Sequence, residues 1–211
     1  MFYKRVISTM FKDYKYMEDL EVMISFNPDF PIAQQKKKSL RAVNIIKLKR
    51  NGKFKGRMCA NGAHYQHFLL REEAKFPIIN LECVLFIMLI DAYEDRKVAN
   101  FDTSGVYLQA DLTKEKFTIL LMESRFGNIL CDINTEYKQH LRFKDGMKKL
   151  YLLILKIIYG MIESTIRWYK IHISVLKDMG NQLNNYDMCV ANKDIYGKQC
   201  TISWYVDDNK V

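Results

Sequence analysis

Turn-forming residues are scarce in this chain: its 211 residues include only three prolines and nine glycines. Turns must therefore come largely from Asn, Asp and those few glycines. No internal repeat or low-complexity tract is present. Long apolar runs are also missing. The longest, Cys83–Ile90 and Leu150–Leu155, fall well short of the ~20 residues that cross a bilayer, so no membrane association is expected. The opening MFYKRVISTMFKDYKYMEDL has neither an apolar core nor a small-residue cleavage site, and no secretory signal is legible. Paired cysteines are lacking as well. Cys59, Cys83, Cys131, Cys189 and Cys200 are an odd set, no two closer than eleven positions, which excludes a disulfide framework and a CxxC motif. They read as reduced thiols of a cytoplasmic or nuclear protein. His64 and His67 have HxxH spacing with Cys59 nearby, but no fourth ligand follows at finger spacing, so no structural zinc is expected.

Apolar residues make up 49% of the chain and charged residues 27%, enough to bury a sizeable core and too apolar for intrinsic disorder. The formal net charge is +9, and it is concentrated. Residues 36–57 carry ten basic side chains and no acid, whereas residues 58–211 carry nineteen of each sign. One short segment accounts for the whole excess. Its two readings are a polyanion-binding element and a solvated basic face.

The basic segment has a legible local fold. Ile46 and Leu48 alternate with Lys47 and Lys49, and after Arg50-Asn51-Gly52, Phe54 alternates with Lys53, Lys55 and Arg57. A three-residue loop with Gly52 left-handed pairs Leu48 with Phe54, Lys47 with Lys55 and Lys49 with Lys53. A two-residue Asn-Gly turn would mix the faces. The longer loop puts Lys47, Lys49, Lys53, Lys55 and Arg57 on one face and apolar residues on the other. Like charges directly opposed cost stability, which a phosphate-binding ribbon would have reason to accept.

Elsewhere the pattern predicts a helix within residues 1–30, a buried helix over Leu81–Tyr93 and a short strand over Lys97–Asp102. A turn and brief helix at Gly105–Ala110 and a strand over Phe117–Met122 come next. A surface helix over Cys131–His140 and a strand over Leu150–Leu155 follow, then a long helix over Ile157–Met179. Met188–Asn192 and Gln199–Val206 form an antiparallel pair. This order predicts an α+β domain with helices on one face of a small antiparallel sheet.

Two adjacent carboxylates, Asp207 and Asp208, end the apolar run Trp204-Tyr205-Val206, and Asp102 ends another strand. Adjacent aspartates at a strand tip are most often a solvated turn. Three carboxylates converging at neighbouring tips would instead repel unless divalent cations sat between them. Hard oxygen ligands suit Mg²⁺.

Four segments then carry a family resemblance. They are Lys55-Gly56-Arg57-Met58-Cys59-Ala60-Asn61-Gly62, Phe101-Asp102-Thr103-Ser104-Gly105-Val106-Tyr107, Ile158-Tyr159-Gly160 with Trp168-Tyr169, and Tyr205-Val206-Asp207-Asp208. In this order over roughly 150 residues, they resemble the reverse transcriptase domain of copia-type retrotransposon Pol polyproteins, from about Ala42 to the last residue. The resemblance implies an α+β fold of fingers and palm without a thumb. Residues 1–40 would be an extension, 41–96 fingers with the basic hairpin, and 97–211 palm with a fingers-side insertion at about 113–150. It implies an RNA-directed DNA polymerase that extends a primer 3′-hydroxyl. Its partners would be an RNA or DNA template–primer duplex and deoxynucleoside triphosphates, and its cofactor two Mg²⁺ ions, with Mn²⁺ as a substitute.

By the same resemblance, Asp102, Asp207 and Asp208 would hold the metals and Arg57 would reach the triphosphate. The backbone at Gly105 and Val106 would lie against the triphosphate, and Tyr107 would sit under the sugar and exclude a 2′-hydroxyl. Gly160 would permit close approach of template or nucleotide. Lys47, Lys49, Lys53 and Lys55 would contact nucleic-acid phosphates. The chain departs from the family at Glu163-Ser164-Thr165-Ile166, where Gln-Ala-Pro-Arg is the pattern. It stops just after Asp208, before any thumb, connection or RNase H domain, which implies weak or absent activity in isolation. The alternative is a non-catalytic relic that binds nucleic acid through the hairpin. An aspartic protease is not expected, because the glycine of Asp102-Thr103-Ser104-Gly105 comes one position late and no second copy exists.

Overall fold

The computed structural model of the protein describes residues 2–29, 35–36, 38–62, 76–112, 117–123, 125–144 and 146–211. In chain order the elements are α1 (Phe2–Asp19), β1 (Met23–Ser25), β2 (Leu40–Leu48), β3 (Phe54–Ala60), α2 (Leu81–Tyr93), β4 (Asn100–Asp102) and β5 (Ile119–Glu123). Then come α3 (Phe126–Ile133), β6 (Arg142–Lys144), β7 (Met147–Ile154), α4 (Ser164–Asp178), β8 (Gln182–Leu183), β9 (Val190–Ile195), β10 (Lys198–Tyr205) and β11 (Asp208–Lys210). The fold is α+β. The chain divides into two units, Met1–Leu69 with Tyr107–Ser164, and Leu70–Val106 with Thr165–Val211.

The first unit is built on a six-stranded mixed sheet of order β1-β7-β5-β2-β3, with β6 also on β7. All pairs are antiparallel except β2 with β5. Its centre is dry: Leu120, Met122, Leu150, Leu152, Ile157 and Ile158 are fully buried. α1 and β1 belong to this body: α1 buries Met10, Tyr14 and Met17, and β1 forms an edge of the sheet. Glu18 ties α1 to the segment after α3, accepting from Asn134 Nδ2 (2.9 Å) and Tyr137 OH (2.6 Å).

The basic hairpin has the register its alternation implies. Lys47 stands opposite Lys55 and Leu48 opposite Phe54. Lys49 N–H donates to Lys53 O, and Gly52 has φ 73°. The outward face is less purely basic than the pattern suggested, since Val43 and Ile45 share it, 39% and 51% exposed.

The second unit carries a five-stranded antiparallel sheet, β4-β11-β10-β9-β8. One side of α4 packs on it through Tyr169 and Leu176, against Cys189, Ala191, Ile202 and Trp204. Asp187 joins the start of α2 to the loop before β9, accepting from Asn80 N–H (2.7 Å) and Cys189 N–H (2.8 Å). The hairpin between β9 and β10 turns at Tyr196-Gly197, both at positive φ, the signature of a type I′ turn.

Three expectations are corrected. The sequence pattern marks Leu81–Tyr93 as a buried helix; α2 has those ends, but Ile87 is its one buried residue and Leu81, Phe86 and Leu89 stand more than 60% exposed. A helix apolar on every side needs cover on every side, and only one stripe of α2 is covered. Cys131–His140 is not a surface helix. It is the end of α3 and a separate 3₁₀ turn, broken at Asn134, whose side chain accepts from Glu136 N–H, and Leu130 and Tyr137 are buried. The long helix begins at Ser164 rather than Ile157. Ahead of it, Ile157 N–H donates to Ala110 O, Tyr159 O accepts from Ala60 N–H, and Gly160 is left-handed at φ 85°. Tertiary partners thus take the backbone groups that an earlier helical turn would need. Among the described residues no helix is long and apolar enough to cross a membrane.

Candidate active site

In the second unit, β11 pairs with β4 so that Asp208 lies directly opposite Asp102. Directly opposed residues share a face, with Cβ atoms about 4.5–5.5 Å apart. Both side chains are exposed, and neither makes an ion pair among the described residues. Asp207 lies one residue earlier, in the two-residue loop between Tyr205 and Asp208, and its carbonyl accepts from Thr103 N–H at 2.9 Å. Two of the three carboxylates are therefore brought into register, and the backbone of the third is fastened beside them. Among the described residues no group of three or more His, Cys, Asp or Glu is arranged to hold a metal ion, so the three are a facing pair with a neighbour and not one ligand cluster. Carboxylate oxygens are hard donors of the kind Mg²⁺ prefers.

The loop is strained. Val206 has φ 56°, a region that β-branched residues rarely occupy. Positive φ at the first loop position, and not at the second, is the type II′ pattern that favours glycine there. Such a conformation costs about 1–3 kcal/mol and persists when its surroundings enforce it. Trp168 on α4 does so, donating its indole N–H to Val206 O at 2.8 Å. Asn209, 3% exposed, donates from Nδ2 to Asp207 O (2.8 Å) and Thr103 Oγ1 (3.1 Å). His172 lies between Trp168 and Trp204, with ring centroids 5.3 and 4.9 Å away, and burial pushes its pKa down. Val206→Gly should release this strain and leave urea stability unchanged or up to about 1 kcal/mol higher. Val190→Gly, in the buried part of β9, should cost more than about 2 kcal/mol.

Of the residues expected at phosphates or nucleotide, Lys47, Lys49, Lys53, Lys55, Arg57, Tyr107 and Gly160 lie in the first unit, and Gly105 and Val106 in the second. Lys47, Lys49, Lys53 and Lys55 are exposed on the hairpin. Arg57 is half-buried, its guanidinium 4.5 Å from the Tyr159 ring centroid, and Tyr159 meets Tyr107 edge-on at 4.9 Å. Arg57, Tyr159 and Tyr107 thus form a continuous row of contacts, in which cation–π attraction to Tyr159 orients the guanidinium. Tyr107 sits on a 3₁₀ turn, Val106–Gln109, entered through Gly105 at φ 62°, with the Val106 side chain buried. Gly160 makes its close approach within its own chain: a Cβ there would lie 2.1 Å from Ala60 O. His64 and His67 lie outside the described residues.

No protein-family model matches the chain, and no curated protein matches it.

Asn209 escaped the sequence reading, and Trp168 was noted there only as part of a motif. An asparagine directly after an aspartate pair is the one mark of Asn209 in the sequence; its burial and hydrogen bonds are set by the fold. For Trp168 there was none, because its partner is a backbone carbonyl 38 residues away.

Proposed function

We propose that the chain is a reverse transcriptase domain of the copia-type retroelement class, with fingers at about residues 41–96 and palm at 97–211. Its reaction would be RNA-directed DNA synthesis, the transfer of a deoxynucleotide to a primer 3′-hydroxyl. The observation that carries this reading is the register of Asp208 against Asp102, with Asp207 in a strained hairpin loop beside them. Two Mg²⁺ ions, or Mn²⁺ in their place, would clamp the attacking and leaving oxygens of an in-line phosphoryl transfer. Asp102 and Asp208 would supply ligand oxygens from adjacent strands, and Asp207 would add its carboxylate from the loop that Trp168 and Asn209 hold.

Arg57, oriented by Tyr159, would take triphosphate oxygens, for which a planar guanidinium is suited. Gly105 and Val106 would offer backbone to the triphosphate, and Tyr107 would pack under the sugar and disfavour a 2′-hydroxyl. Gly160 would act at nucleotide or template by keeping this part of the chain in place. Lys47, Lys49, Lys53 and Lys55 would neutralise phosphates of the template–primer without reading its sequence.

Primer extension on an RNA template with Mg²⁺, comparing wild type with Asp207→Asn, tests the proposal. Extension that depends on the aspartate is the expected result. The exposed lysine ladder of the hairpin favours one other reading, a relic that only binds nucleic acid. Salt-sensitive binding with no extension by either protein would replace the first reading with that one.

A further inference from the structure

The first unit contains a groove of about 660 Å³ between α1 and β3. Five cations line it, Lys4, Arg5 and Lys12 from the helix, Lys53 from the end of the hairpin loop and Lys55 from the strand, against one carboxylate, Asp13. That carboxylate is engaged, because Asp13 Oδ2 accepts from Met58 N–H at 2.7 Å. Arg5 is engaged too. It donates to Gly52 O at 2.8 Å and lies over the Phe54 ring at 5.0 Å, which fastens the tip of the hairpin to the helix. Lys4, Lys12 and Lys53 make no ion pair with a carboxylate among the described residues.

Their placement is ordered. Lys4, Ser8, Lys12 and Tyr16 follow one another at four-residue intervals, a single line along α1. Lys4 and Lys12 are then about 12 Å apart along the axis at ~1.5 Å per residue. Lys53 and Lys55 stand on the opposite wall, and Tyr16, 42% exposed, offers a ring at the rim. A concave site with cations on both walls suits a chain that runs along it, not a flat membrane. Hydroxyls and an aromatic among the cations suit phosphate and base, not the carboxylates of a peptide.

We infer that the α1–β3 groove is a second nucleic-acid track, one that holds the backbone of a single strand against Lys4 and Lys12 on one wall and Lys53 and Lys55 on the other. It deepens the nucleic-acid-binding part of the proposed function and needs nothing from its catalytic part. A failed primer extension therefore leaves it standing. Lys53 and Lys55 serve both the groove and the hairpin, whereas Lys4 and Lys12 belong to the groove alone and Lys47 and Lys49 to the hairpin alone.

The test uses the full chain and a fluorescent single-stranded RNA of mixed sequence, with affinity measured over a range of salt. Single-strand binding falls with log salt at a slope of about −0.7 per neutralised phosphate. Lys4→Gln with Lys12→Gln should make the slope shallower by about 1.4, and Lys47→Gln with Lys49→Gln should add a separate decrease of similar size. Bound RNA should also protect Lys4 and Lys12 from acetylation while leaving Lys177 of the second unit reactive. An unchanged slope in the Lys4/Lys12 variant, without protection of those lysines, overturns the inference. So does polyglutamate that binds as tightly as RNA and depends equally on Lys4 and Lys12, since the groove would then be a site for acidic protein.

Discussion

Gly160→Ala is expected to unfold the first unit or to leave it barely stable. The new methyl group would lie 2.1 Å from Ala60 O and 3.1 and 3.2 Å from Ala60 C and N, all of them backbone atoms. Neither side can yield cheaply, because Ala60 N–H donates to Tyr159 O at 2.7 Å and anchors the end of β3 to this segment. The left-handed conformation at φ 85° adds about 1–2 kcal/mol for any residue with a Cβ. Together these effects should cost on the order of 4 kcal/mol or more, a large share of the ~5–15 kcal/mol that typically holds a domain together. Gly146→Ala is the matched control. Its φ is 73° with nothing within 4 Å of the new Cβ, so it should lose only the conformational part, about 1 kcal/mol. Urea denaturation of both variants measures the difference. If Gly160 served only the approach of nucleotide or template, its alanine variant would fold as well as the Gly146 control.

Asp208→Asn should stabilise the second unit and remove most of the proposed primer extension. Like charges directly opposed on a ladder destabilise it by roughly 0.2–1 kcal/mol, and Asp208 faces Asp102 in that way. Removing one charge should recover that amount at low salt and less at high salt, where exposed charges are screened. Primer extension should fall by at least about 100-fold, beyond the 10–100-fold that loss of an outer-shell partner costs a metal site. Mg²⁺ separates the two effects. At ten times its dissociation constant it should add about 1.4 kcal/mol to the stability of the wild type by binding only the folded state. The same concentration should add much less to the variant. A variant that is no more stable than wild type would show that the facing carboxylates do not repel. One that extends primers normally would remove Asp208 from the site.

Local features were the most legible. The hairpin register follows from period-two alternation and loop length within about fifteen residues, so Lys47 opposite Lys55 could be read before any tertiary contact was known. The bounds of Leu81–Tyr93 were legible for the same reason, but its burial was not, because burial depends on what packs against it. The start of α4 was not legible, because Ile157 and Tyr159 spend their backbone groups on Ala110 and Ala60, residues far away in sequence. Among the site residues, the aspartates could be picked out by type and position. That Asp102 and Asp208 face one another, 106 positions apart, is a property of the β4–β11 pairing.

The sequence by itself determined the scarcity of turn formers, the lack of membrane-length runs and the confinement of excess charge to residues 36–57. It also determined the alternation that makes those residues a hairpin, since each of these depends only on composition or near neighbours. Tertiary structure alone decided what lies under and around that hairpin. Packing of α1 on β3 turned an exposed ribbon into one wall of a groove, and packing of α4 set Trp168 against the Val206 carbonyl. Those arrangements rest on contacts between residues 38 to 47 positions apart, whose energies exist only once the chain has closed the intervening loops.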